Sequence, residues 1–455
     1  MFRKILVANR GEIALRVIRA VKELGIKSVA VYSEADESSS HVRLADEQIC
    51  IGPAMSAKSY LSIDNILLAA KEMGADAIHP GYGYLSESQR FAAACQDAGL
   101  VFIGPTPDNL ELAGDKIAGK EIMRRAGVPV IPSSGATATI EEAKEISGEI
   151  GYPVMIKASG GGGGRGIRVC PDEEILAEEF PVAKAEARVA FGNDELYLEK
   201  FIVEPRHIEF QLLADTYGNV THLGERECSI QRRFQKLIEE SPSPRITVEL
   251  RQKMGEAAIA AARAVNYVNA GTVEFLVDRD DNFYFMEVNA RIQVEHPVTE
   301  ITTGIDLVKE QIRLAAGEKL GYSFEEIPLR GWAIECRINA EDPSRGFLPC
   351  PGTIEEYNPP GGYGVRLDTH LYQGYSLPIY YDSLIAKLIT FDSTREGAIN
   401  IMQRALHEYS VHPIKTTIPL FLEIMADEDF RRGDFNTGFI DKFIPDEDDD
   451  DDEDD

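Results

Sequence analysis

The residues best suited to chemistry lie in one short stretch, EVNARIQVEHPVTE, which begins at Glu287. Its polar and charged side chains occupy every second position: Glu287, Asn289, Arg291, Gln293 and Glu295. The positions between them carry Val288, Ala290, Ile292 and Val294. If the stretch is extended, successive side chains point to opposite faces, so one face is polar and the other is apolar.

A second carboxylate is expected to face this polar row. The preceding run, GTVEFLVDRDDNFYFMEVN, contains Glu274, and a turn at Asp280–Asp281 would place Glu274 directly opposite Glu287 on a paired strand. Two adjacent carboxylates repel each other unless a cation lies between them. The pattern therefore favours a site for a hard metal ion beside groups that bind an anion. An ordinary sheet with one wet face is the simpler alternative.

The second motif is PVMIKASGGGGGRGIRV, in which a predicted strand ends on Lys157 and five glycines follow. Glycines allow backbone N–H groups to wrap phosphate oxygens, and Lys157 and Lys116 could supply positive charge. The P-loop pattern G-x-x-x-x-G-K-[ST] is not met. A flexible linker is the alternative, but two apolar strands bracket the glycines closely. We therefore expect a mobile phosphate-binding flap.

Two further segments concentrate polar groups. After the apolar run that ends at Glu199 and Lys200, the chain could present backbone and carboxylate groups to an adenine, and His207 then heads a polar row with Glu209 and Gln211. The segment ERECSIQRRFQK packs four cations into a dozen positions: Arg226, Arg232, Arg233 and Lys236. In an acidic protein, this concentration indicates an anionic substrate.

The overall charge argues against nonspecific binding of nucleic acid. The 455 residues include 76 acidic and 47 basic side chains, for a net charge of −29. Residues 446–455 are all acidic, and without them 66 acidic residues still face 47 basic ones. A block of like charge cannot pack, so we expect a disordered, solvating acidic tail; an interaction tail is the alternative.

Composition also limits the compartment and the redox chemistry. No apolar run reaches the roughly 18–20 residues needed to span a bilayer, and the start lacks the pattern of a signal peptide. We therefore expect a cytoplasmic protein without membrane contact. The six cysteines contain no C-x-x-C pair, which argues against a zinc ribbon, a redox dithiol or a disulfide framework; they are Cys50, Cys95, Cys170, Cys228, Cys336 and Cys350.

The elements that must position these groups fall into more than one domain, because 455 residues exceed one hydrophobic core. Residues 3–33 read as strand, amphipathic helix and strand, which predicts a βαβ unit with a parallel sheet. Its turn, NRGEIA, lacks the dinucleotide fingerprint G-x-G-x-x-G. The segment HPGYGYLSE fits either a ligand loop or a structural turn. We predict a first boundary near residue 112 and a second near residue 330.

The last part of the chain is predicted to be a mostly antiparallel sheet with helices. It opens with the alternating strand GWAIECRINAEDP, which places Glu335, Arg337 and Asn339 on one face. The segments FLPCPGTIEEY, GVRLDTHLY and YYDSLIAKLIT follow. Helices near 395–408 and 415–425 are expected to close this part.

Taken together, the motifs identify a family resemblance. NRGEIA, HPGYGYLSE, GDK (114–116), KASGGGGGRG, EKF (199–201), RHIEFQ, ERECSIQRR, EVNARIQVEHPVTE and ECRINAEDP occur in one order across residues 3–445. The sequence resembles the biotin carboxylase component of biotin-dependent carboxylases, within the ATP-grasp superfamily. The resemblance implies a Rossmann-like N-terminal biotin carboxylase domain at 1–112, an ATP-grasp domain at 113–330 with a mobile lid at about 130–203, and a C-terminal domain at 331–445. It also implies that ATP and bicarbonate form carboxyphosphate and that biotin is then carboxylated.

The resemblance assigns roles to individual residues. Those implied to bind ATP are Lys116, Lys157, Gly160, Gly161, Gly162, Gly163, Gly164, Glu199, Lys200, Phe201, Ile202, His207, Gln231, Lys236, Glu274 and Glu287. Glu274, Glu287 and Asn289 are implied to hold Mg²⁺ or Mn²⁺. Arg291, Gln293, Val294 and Glu295 are implied to bind bicarbonate, with Glu295 as the base. Arg337 is implied to stabilise the biotin enolate, and the implied catalytic set is Glu295, Arg291, Arg337 and Lys236.

Two positions depart from the family pattern. Where the family commonly has QRRHQK, this chain has QRRFQK, with Phe234. A phenyl ring cannot donate a hydrogen bond to a nucleotide, so we expect weaker ATP binding or a subfamily adjustment rather than loss of activity. In LSESQR, Ser88 stands where the family has Asn, and we assign Ser88 no role.

The chain shows no biotin-attachment motif, so the biotin carrier protein and the carboxyltransferase are expected to be separate polypeptides. The final acceptor is pyruvate or an acyl-CoA such as acetyl-CoA, with a slight preference for the biotin carboxylase subunit of a two-subunit pyruvate carboxylase. A homodimer is expected from the family. The alternatives are another ATP-grasp ligase and a catalytically silent scaffold that binds ATP or the carrier.

Overall fold

The structure is a computed structural model that describes residues 1–114, 116–158, 167–191 and 194–444, with the backbone alone described at 116, 117, 167, 190 and 191. The strands of the described residues are β1 Lys4–Val7, β2 Lys27–Tyr32, β3 Glu47–Cys50, β4 Ala77–His79, β5 Val101–Phe102, β6 Val154–Ala158, β7 Ile167–Cys170, β8 Leu196–Lys200, β9 Arg206–Ala214, β10 Val220–Arg232, β11 Gln235–Ser241, β12 Asn269–Val277, β13 Phe283–Asn289, β14 Trp332–Asn339, β15 Glu341–Asp342, β16 Leu348–Pro349, β17 Glu356–Asn358, β18 Val365–Thr369, β19 Leu384–Asp392 and β20 Ser410–His412. The helices are α1 Gly11–Glu23, α2 Ser40–Leu44, α3 Ile63–Met73, α4 Gln89–Asp97, α5 Pro107–Gly114, α6 Lys116–Arg125, α7 Ile140–Ile150, α8 Glu173–Phe191, α9 Val248–Ala264, α10 His296–Thr303, α11 Leu307–Ala315, α12 Arg395–Glu408, α13 Ile418–Ala426 and α14 Glu428–Arg432.

The N-terminal part is the parallel, Rossmann-like unit that the sequence predicts. Its five strands lie in the order β3-β2-β1-β4-β5, and every pair is parallel. Helix α1 buries its apolar stripe, and the chain leaves it through Gly25, whose φ of +72° favours glycine. Ser88, to which no role was assigned from the sequence, caps α4 by accepting a hydrogen bond from the Phe91 N–H at 3.2 Å.

A single antiparallel sheet of eight strands forms the centre of the molecule. Its order is β13-β12-β9-β10-β11-β14-β19-β18. Strand β11 precedes the predicted boundary near residue 330 and β14 follows it, yet the two pair from Ile238–Cys336 to Ser241–Ala333. The hydrogen-bonded sheet therefore runs without a break from the predicted ATP-grasp part into the C-terminal part.

A small separate layer lies within residues 130–203. Strands β7, β6 and β8 form an antiparallel sheet in that order, and α7 and α8 pack on it around a core that includes Val154, Ile156 and Leu198. The predicted glycine flap, Gly160–Gly164, lies outside the described residues. The acidic tail, residues 446–455, also lies outside them.

The helices predicted to close the C-terminal part are present as α12, which packs on β14 and β19, and α13, which packs on α12. Met402, Phe421 and Ile424 belong to their shared core. The predicted extension of the polar stretch through Glu295 is wrong beyond Asn289. Strand β13 ends at Asn289, and the chain turns irregularly before α10 begins at His296. The alternation of side chains therefore positions Glu287 and Asn289, whereas tertiary contacts position the later residues.

Candidate active site

One cleft, with a volume of about 2380 Å³, collects the predicted site residues. The described side chains among them that line it are Lys157, Glu199, Lys200, Phe201, Ile202, His207, Gln231, Lys236, Glu274, Glu287, Asn289, Arg291, Gln293, Val294, Glu295 and Arg337. Lys116 begins α6, but its side chain lies outside the described part of the chain, as do the five glycines. Residues that are far apart in the sequence, from Lys157 to Arg337, are thus brought to one concave surface, as expected of a binding site.

A row of charged side chains crosses four strands of the eight-stranded sheet. Arg226 pairs with Glu209, Glu209 pairs with Glu274, and Glu274 pairs with Glu287. The predicted opposition of Glu274 and Glu287 is therefore confirmed. Because directly opposed residues share a face of the sheet, the row brings three carboxylates side by side. Their mutual repulsion is offset by cations that reach the row from neighbouring elements.

Lys236 is the cation at the centre of the row. Its Nζ lies 2.6 Å from Glu209 Oε2, 2.9 Å from Glu274 Oε1 and 2.6 Å from Glu295 Oε1. Burial alone would lower the pKa of Lys236, but these three carboxylates raise it well above its ordinary value. The ammonium is thus fully charged and joins β11 to β9, β12 and the turn before α10.

Glu295 lies between Lys236 and Arg337. Arg337 NH2 lies 2.9 Å from Glu295 Oε2, while its Nε donates to Glu239 Oε1 at 2.6 Å. Burial alone would raise the pKa of Glu295, but Lys236, Arg337 and Arg226 hold it well below its ordinary value. As the residue before α10, Glu295 makes no capping hydrogen bond with its side chain. Both carboxylate oxygens therefore remain bound to the cations of the cleft.

Arg226 is the member of the row on β10 and is fully buried. Its Nε donates to Glu209, and its NH1 and NH2 groups donate to side chains on neighbouring elements. These acceptors are Gln211 Oε1 at 2.7 Å, Thr272 Oγ1 at 3.1 Å, Gln293 Oε1 at 2.9 Å and Thr299 Oγ1 at 3.0 Å. Gln293 in turn donates to Glu274 Oε1 at 2.9 Å. The irregular turn is thereby tied to the sheet.

Arg291 reaches the cleft from the same turn. Its Nε lies 3.0 Å from Glu87 Oε2, and its NH2 donates to Asn289 Oδ1 at 3.1 Å. Glu87 belongs to the HPGYGYLSE segment, for which the sequence leaves open a ligand loop or a structural turn. The ion pair places the end of that segment beside the polar row.

Glu199 anchors the opposite wall of the cleft. Its carboxylate is fully buried and is bound by the ammonium groups of Lys120 and Lys157. Burial alone would raise the pKa of Glu199, but the two lysines lower it. The ammonium of Lys200 instead donates to the carbonyls of Gly151 and Tyr152, both at 2.9 Å. Lys200 therefore fixes the small layer, while Lys120 and Lys157 face the cleft.

The oxygen groups of the row fit a hard divalent cation. Glu274 and Glu287 are directly opposed, and Asn289 follows on the same face two residues later; all three offer oxygen, which Mg²⁺ prefers. His207, Glu209 and Glu274 also approach each other closely enough to hold an ion. That gap is already bridged by the Lys236 ammonium, which contacts both carboxylates. The carboxylates of Glu274 and Glu287, at the β12–β13 end of the row, are therefore the better candidate ligands for the cation.

Sequence reasoning assigned no site role to several residues that bind the predicted ones. Arg226 is a different case, because the sequence grouped it with the cations expected to bind an anionic substrate, whereas the structure buries it and bonds it to side chains within the protein. The residues without an assigned role are Glu87, Lys120, Glu209 and Glu239. The spacing held signals for two of them, because Lys120 follows Lys116 by one helical turn and Glu209 follows His207 by one strand repeat. Glu239 and Glu87 had no comparable signal, since their contacts depend on strand order and on a distant loop.

Comparison with known proteins defines first the class and then the family. The ATP-binding domain of the carbamoyl-phosphate synthase L chain matches residues 115–323, which include the polar row. The N-terminal domain of biotin carboxylase matches residues 1–110, and its C-terminal domain matches residues 335–442. The fold and the cleft thus define an ATP-binding enzyme with a domain on either side.

Relatives that match almost the whole chain support assignment to one family. Biotin carboxylase 1 of Bacillus subtilis is 55% identical over 445 residues, which cover 97% of this chain and 99% of that protein. A pyruvate carboxylase subunit of Methanothermobacter thermautotrophicus is 55% identical over 444 residues, which cover 97% and 90%. The biotin carboxylase domain dimer of Hydrogenobacter thermophilus 2-oxoglutarate carboxylase, a crystal structure with MgADP, ADP and bicarbonate, matches with a TM-score of 0.89 at 54% identity and covers 97% and 98%. The chain belongs to the biotin carboxylase family.

Among the described residues, no helix has the length and apolar character required to cross a bilayer.

Proposed function

We propose that the chain catalyses the ATP-dependent carboxylation of biotin carried by a separate protein. In the first step, ATP and bicarbonate form carboxyphosphate and ADP; in the second, the carboxyl group passes to a biotin nitrogen and phosphate is released. The observation that carries the proposal is the contact of Glu295 with both Lys236 and Arg337 in one cleft. The arrangement joins a carboxylate able to accept a proton, a phosphate-directed cation and a cation for the biotin side.

The nucleotide is assigned to the wall formed by the small layer and the sheet. Lys157 supplies positive charge, and Phe201 and Ile202 supply apolar surface after β8. The Lys116 side chain and Gly160–Gly164 lie outside the described part of the chain and keep the phosphate-binding role that the resemblance implies. His207, Gln231 and Lys236 line the sheet side of the same cleft. Glu199 holds Lys157 in place. Catalysis of phosphoryl transfer depends mainly on such positioning and on charge stabilisation.

Glu274, Glu287 and Asn289 are the residues that would hold Mg²⁺ or Mn²⁺, which neutralises phosphate charge when bound. Lys236 and Gln293 have a different role: they bind Glu274 and keep its carboxylate aligned.

Bicarbonate is assigned to Arg291, Gln293 and Val294, beside Glu295. A planar guanidinium matches the planar anion in shape and charge. Glu295 is held ionised by its cations, so it can accept the bicarbonate proton, but those cations also lower its pKa and weaken it as a base. We propose that the phosphate oxygens of ATP draw the Lys236 ammonium away from Glu295, which raises the basicity of Glu295 when the substrate is in place.

Arg337 is assigned to the biotin side, where its guanidinium stabilises the enolate that forms when the biotin nitrogen loses its proton. The carrier protein and the carboxyltransferase are proposed to be separate polypeptides, and the chain is proposed to act as a homodimer, as the Hydrogenobacter thermophilus structure is described. The acceptor is proposed to be pyruvate, which fits the pyruvate carboxylase subunit of Methanothermobacter thermautotrophicus; an acyl-CoA is the alternative from the sequence. The cytoplasmic location stays a prediction from the sequence.

Bicarbonate-dependent ATP cleavage, measured with and without free biotin, tests the proposal. We expect ADP release to require bicarbonate and to rise when biotin is added. ADP release that needs another carboxylate substrate would favour a different ATP-grasp ligase, and no release at all would favour a silent scaffold.

Glu295→Gln tests the base. The amide keeps the size of the side chain but cannot accept the proton, so we expect turnover to fall by about 10²–10⁴-fold. Nucleotide binding, measured by isothermal titration calorimetry, should persist in this variant. Turnover close to that of the unaltered chain would remove Glu295 from the role of base.

A further inference from the structure

We propose that Lys387 and Glu12 form a positioning pair that fixes the backbone at Val294 and links it to Tyr82 across the cleft. This inference rests on the proposed function, because it concerns the alignment of Glu295 for that reaction. Lys387 belongs to the YYDSLIAKLIT segment, and neither it nor Glu12 was assigned a role from the sequence.

Lys387 lies on β19 directly opposite Arg337 on β14. Its side chain is fully buried, and its Nζ donates to the Val294 carbonyl at 3.0 Å. The Nζ also lies 3.2 Å from Glu12 Oε2. A lysine that is removed from water in this way is costly unless its charge is paired and its protons are bonded. The Glu12 carboxylate balances the charge, and the Val294 carbonyl accepts a hydrogen bond from the ammonium.

Two neighbouring cations thereby hold two consecutive residues of the turn. Lys387 binds the carbonyl of Val294, while Arg337 binds the carboxylate of Glu295. The turn has no strand partners after Asn289 that could fix its conformation, because β13 ends there. The cross-strand pair of cations replaces the missing ladder and fixes where Glu295 points.

Glu12 connects Lys387 to Tyr82 on the other side of the cleft. It lies in the first turn of α1, and its Oε1 accepts a hydrogen bond from the Tyr82 hydroxyl. The side-chain amide of Asn9 donates to the carbonyls of Pro80 at 2.7 Å and Tyr82 at 2.8 Å, so the loop is tied to the same helix end. Glu12 and Tyr82 both line the cleft. The chain of contacts from Tyr82 through Glu12 and Lys387 to Val294 thus joins two walls of one site.

Two other carboxyl groups lie near Lys387, namely Glu335 and Asp368. Burial raises the pKa of Glu335 well above its ordinary value, although Lys387 lowers it, so Glu335 is held neutral. Asp368 lies 4.0 Å from its Nζ but is bound by Arg366 through two hydrogen bonds of 3.0 and 2.7 Å. Arg366 also binds Glu300 at 2.7 Å. Glu12 is therefore the carboxylate that balances the Lys387 ammonium.

The test uses the double substitution Glu12→Gln with Lys387→Met, which removes both charges and leaves neither buried alone. A misplacement near 1 Å costs roughly 10²-fold in rate, so we expect kcat for bicarbonate-dependent ATP cleavage to fall by at least about tenfold. The KM for ATP should stay within about twofold, because the nucleotide wall is untouched. The matched control is Glu225→Gln with Arg251→Met, which removes a buried ion pair of 2.6 Å between β10 and α9 away from the cleft. The control should keep the kcat of the unaltered chain.

A kcat within twofold of the unaltered chain, or an equal loss in both double variants, would overturn the inference. Lys387→Arg provides a second test if the double variant does not fold, since it keeps the charge but displaces it from the Val294 carbonyl. We expect Lys387→Arg to lose kcat while keeping the KM for ATP, and full activity in this variant would also contradict the inference. If the unaltered chain shows no bicarbonate-dependent cleavage, the proposed function fails and this inference fails with it.

Discussion

All five N–H groups of the Arg226 guanidinium are bonded, and each acceptor is a side chain within the protein. Two of these acceptors also contact residues that line the cleft, since Glu209 binds Lys236 and Gln293 donates to Glu274. The positions of Glu209 and Gln293 therefore depend on Arg226, which does not itself line the cleft. Such a side chain stabilises the site through geometry, and its loss leaves Glu209 buried with one cation fewer.

Arg226→Met is expected to destabilise the protein strongly. Removing one partner of a buried, hydrogen-bonded ion pair costs about 3–5 kcal/mol. In Arg226→Met, Glu209 keeps only Lys236 as a cation, and four buried side-chain acceptors lose their donor. Arg245→Met is the control, since Arg245 is half exposed and forms its ion pair with Asp281 at the surface; it should change stability by no more than about 0.5 kcal/mol. The midpoint of thermal unfolding of both variants measures the difference. Equal midpoints would show that Arg226 is not needed for folding.

The hairpin of β10 and β11 turns at Arg233 and Phe234, which have φ values of +48° and +65°. Positive φ at both central residues is typical of a two-residue hairpin turn, in which Asn and Gly are the favoured residues. Phe234 is 75% exposed and lines the cleft. An aromatic residue held in this conformation at the edge of the cleft is placed to affect nucleotide binding, in line with the expectation from the sequence.

Phe234→His is therefore expected to strengthen ATP binding. An imidazole can donate a hydrogen bond to a nucleotide oxygen, which contributes about 0.5–1.5 kcal/mol and lowers the KM for ATP by a few-fold to about tenfold. The kcat should change little, because the substitution leaves the proposed base and its cations in place. Phe234→Leu controls for loss of the ring, and its KM should not fall. Steady-state kinetics with varied ATP measures both; a KM for ATP that does not change in Phe234→His would contradict the assignment.

The β12–β13 hairpin shows which part of this region could be predicted from the sequence and which could not. Alternation and a turn signal were enough to place Glu274 opposite Glu287, because both are local properties of a two-stranded unit. The same alternation failed after Asn289, where contacts of Arg226, Lys236 and Lys387 with the turn decide the backbone path. Those contacts come from strands that are distant in the sequence, so no local sequence pattern predicts them.

The N-terminal and C-terminal parts of the molecule meet at a buried carboxylate. Burial raises the pKa of Glu12 from 4.5 to about 7, although Lys387 and Arg366 lower it and Asp368 adds to the rise. The folded chain therefore retains a proton that the unfolded chain releases above pH 4.5. Stability from this group is complete below pH 4.5 and is lost as the pH rises through about 7.

Glu12→Gln removes this loss, because an amide stays neutral at every pH. The rise in pKa from 4.5 to about 7 corresponds to about 3 kcal/mol, so the stability of the variant relative to the unaltered chain should increase by up to that amount as the pH rises from about 5 to about 8. This increase adds to a loss that does not vary with pH, because the buried Lys387 ammonium is left without its carboxylate. Thermal unfolding of both proteins across this range measures the gain. Glu225→Gln is the control for losing a buried carboxylate elsewhere. A difference between the midpoints of Glu12→Gln and the unaltered chain that is constant with pH would contradict the raised pKa.

Because the eight-stranded sheet is unbroken, dividing the chain near residue 330 would separate two paired strands, β11 and β14. A fragment that stops near residue 330 would keep β11 but lose β14, so the N–H and C=O groups of Ile238–Ser241 that pair with β14 would face solvent. An uncovered strand edge of this kind invites pairing with other chains, and the fragment would associate or precipitate rather than behave as a folded unit. The complementary fragment would carry the matching edge at Trp332–Asn339. Produced together, the two pieces should rejoin through these edges and restore the cleft, as a split protein does.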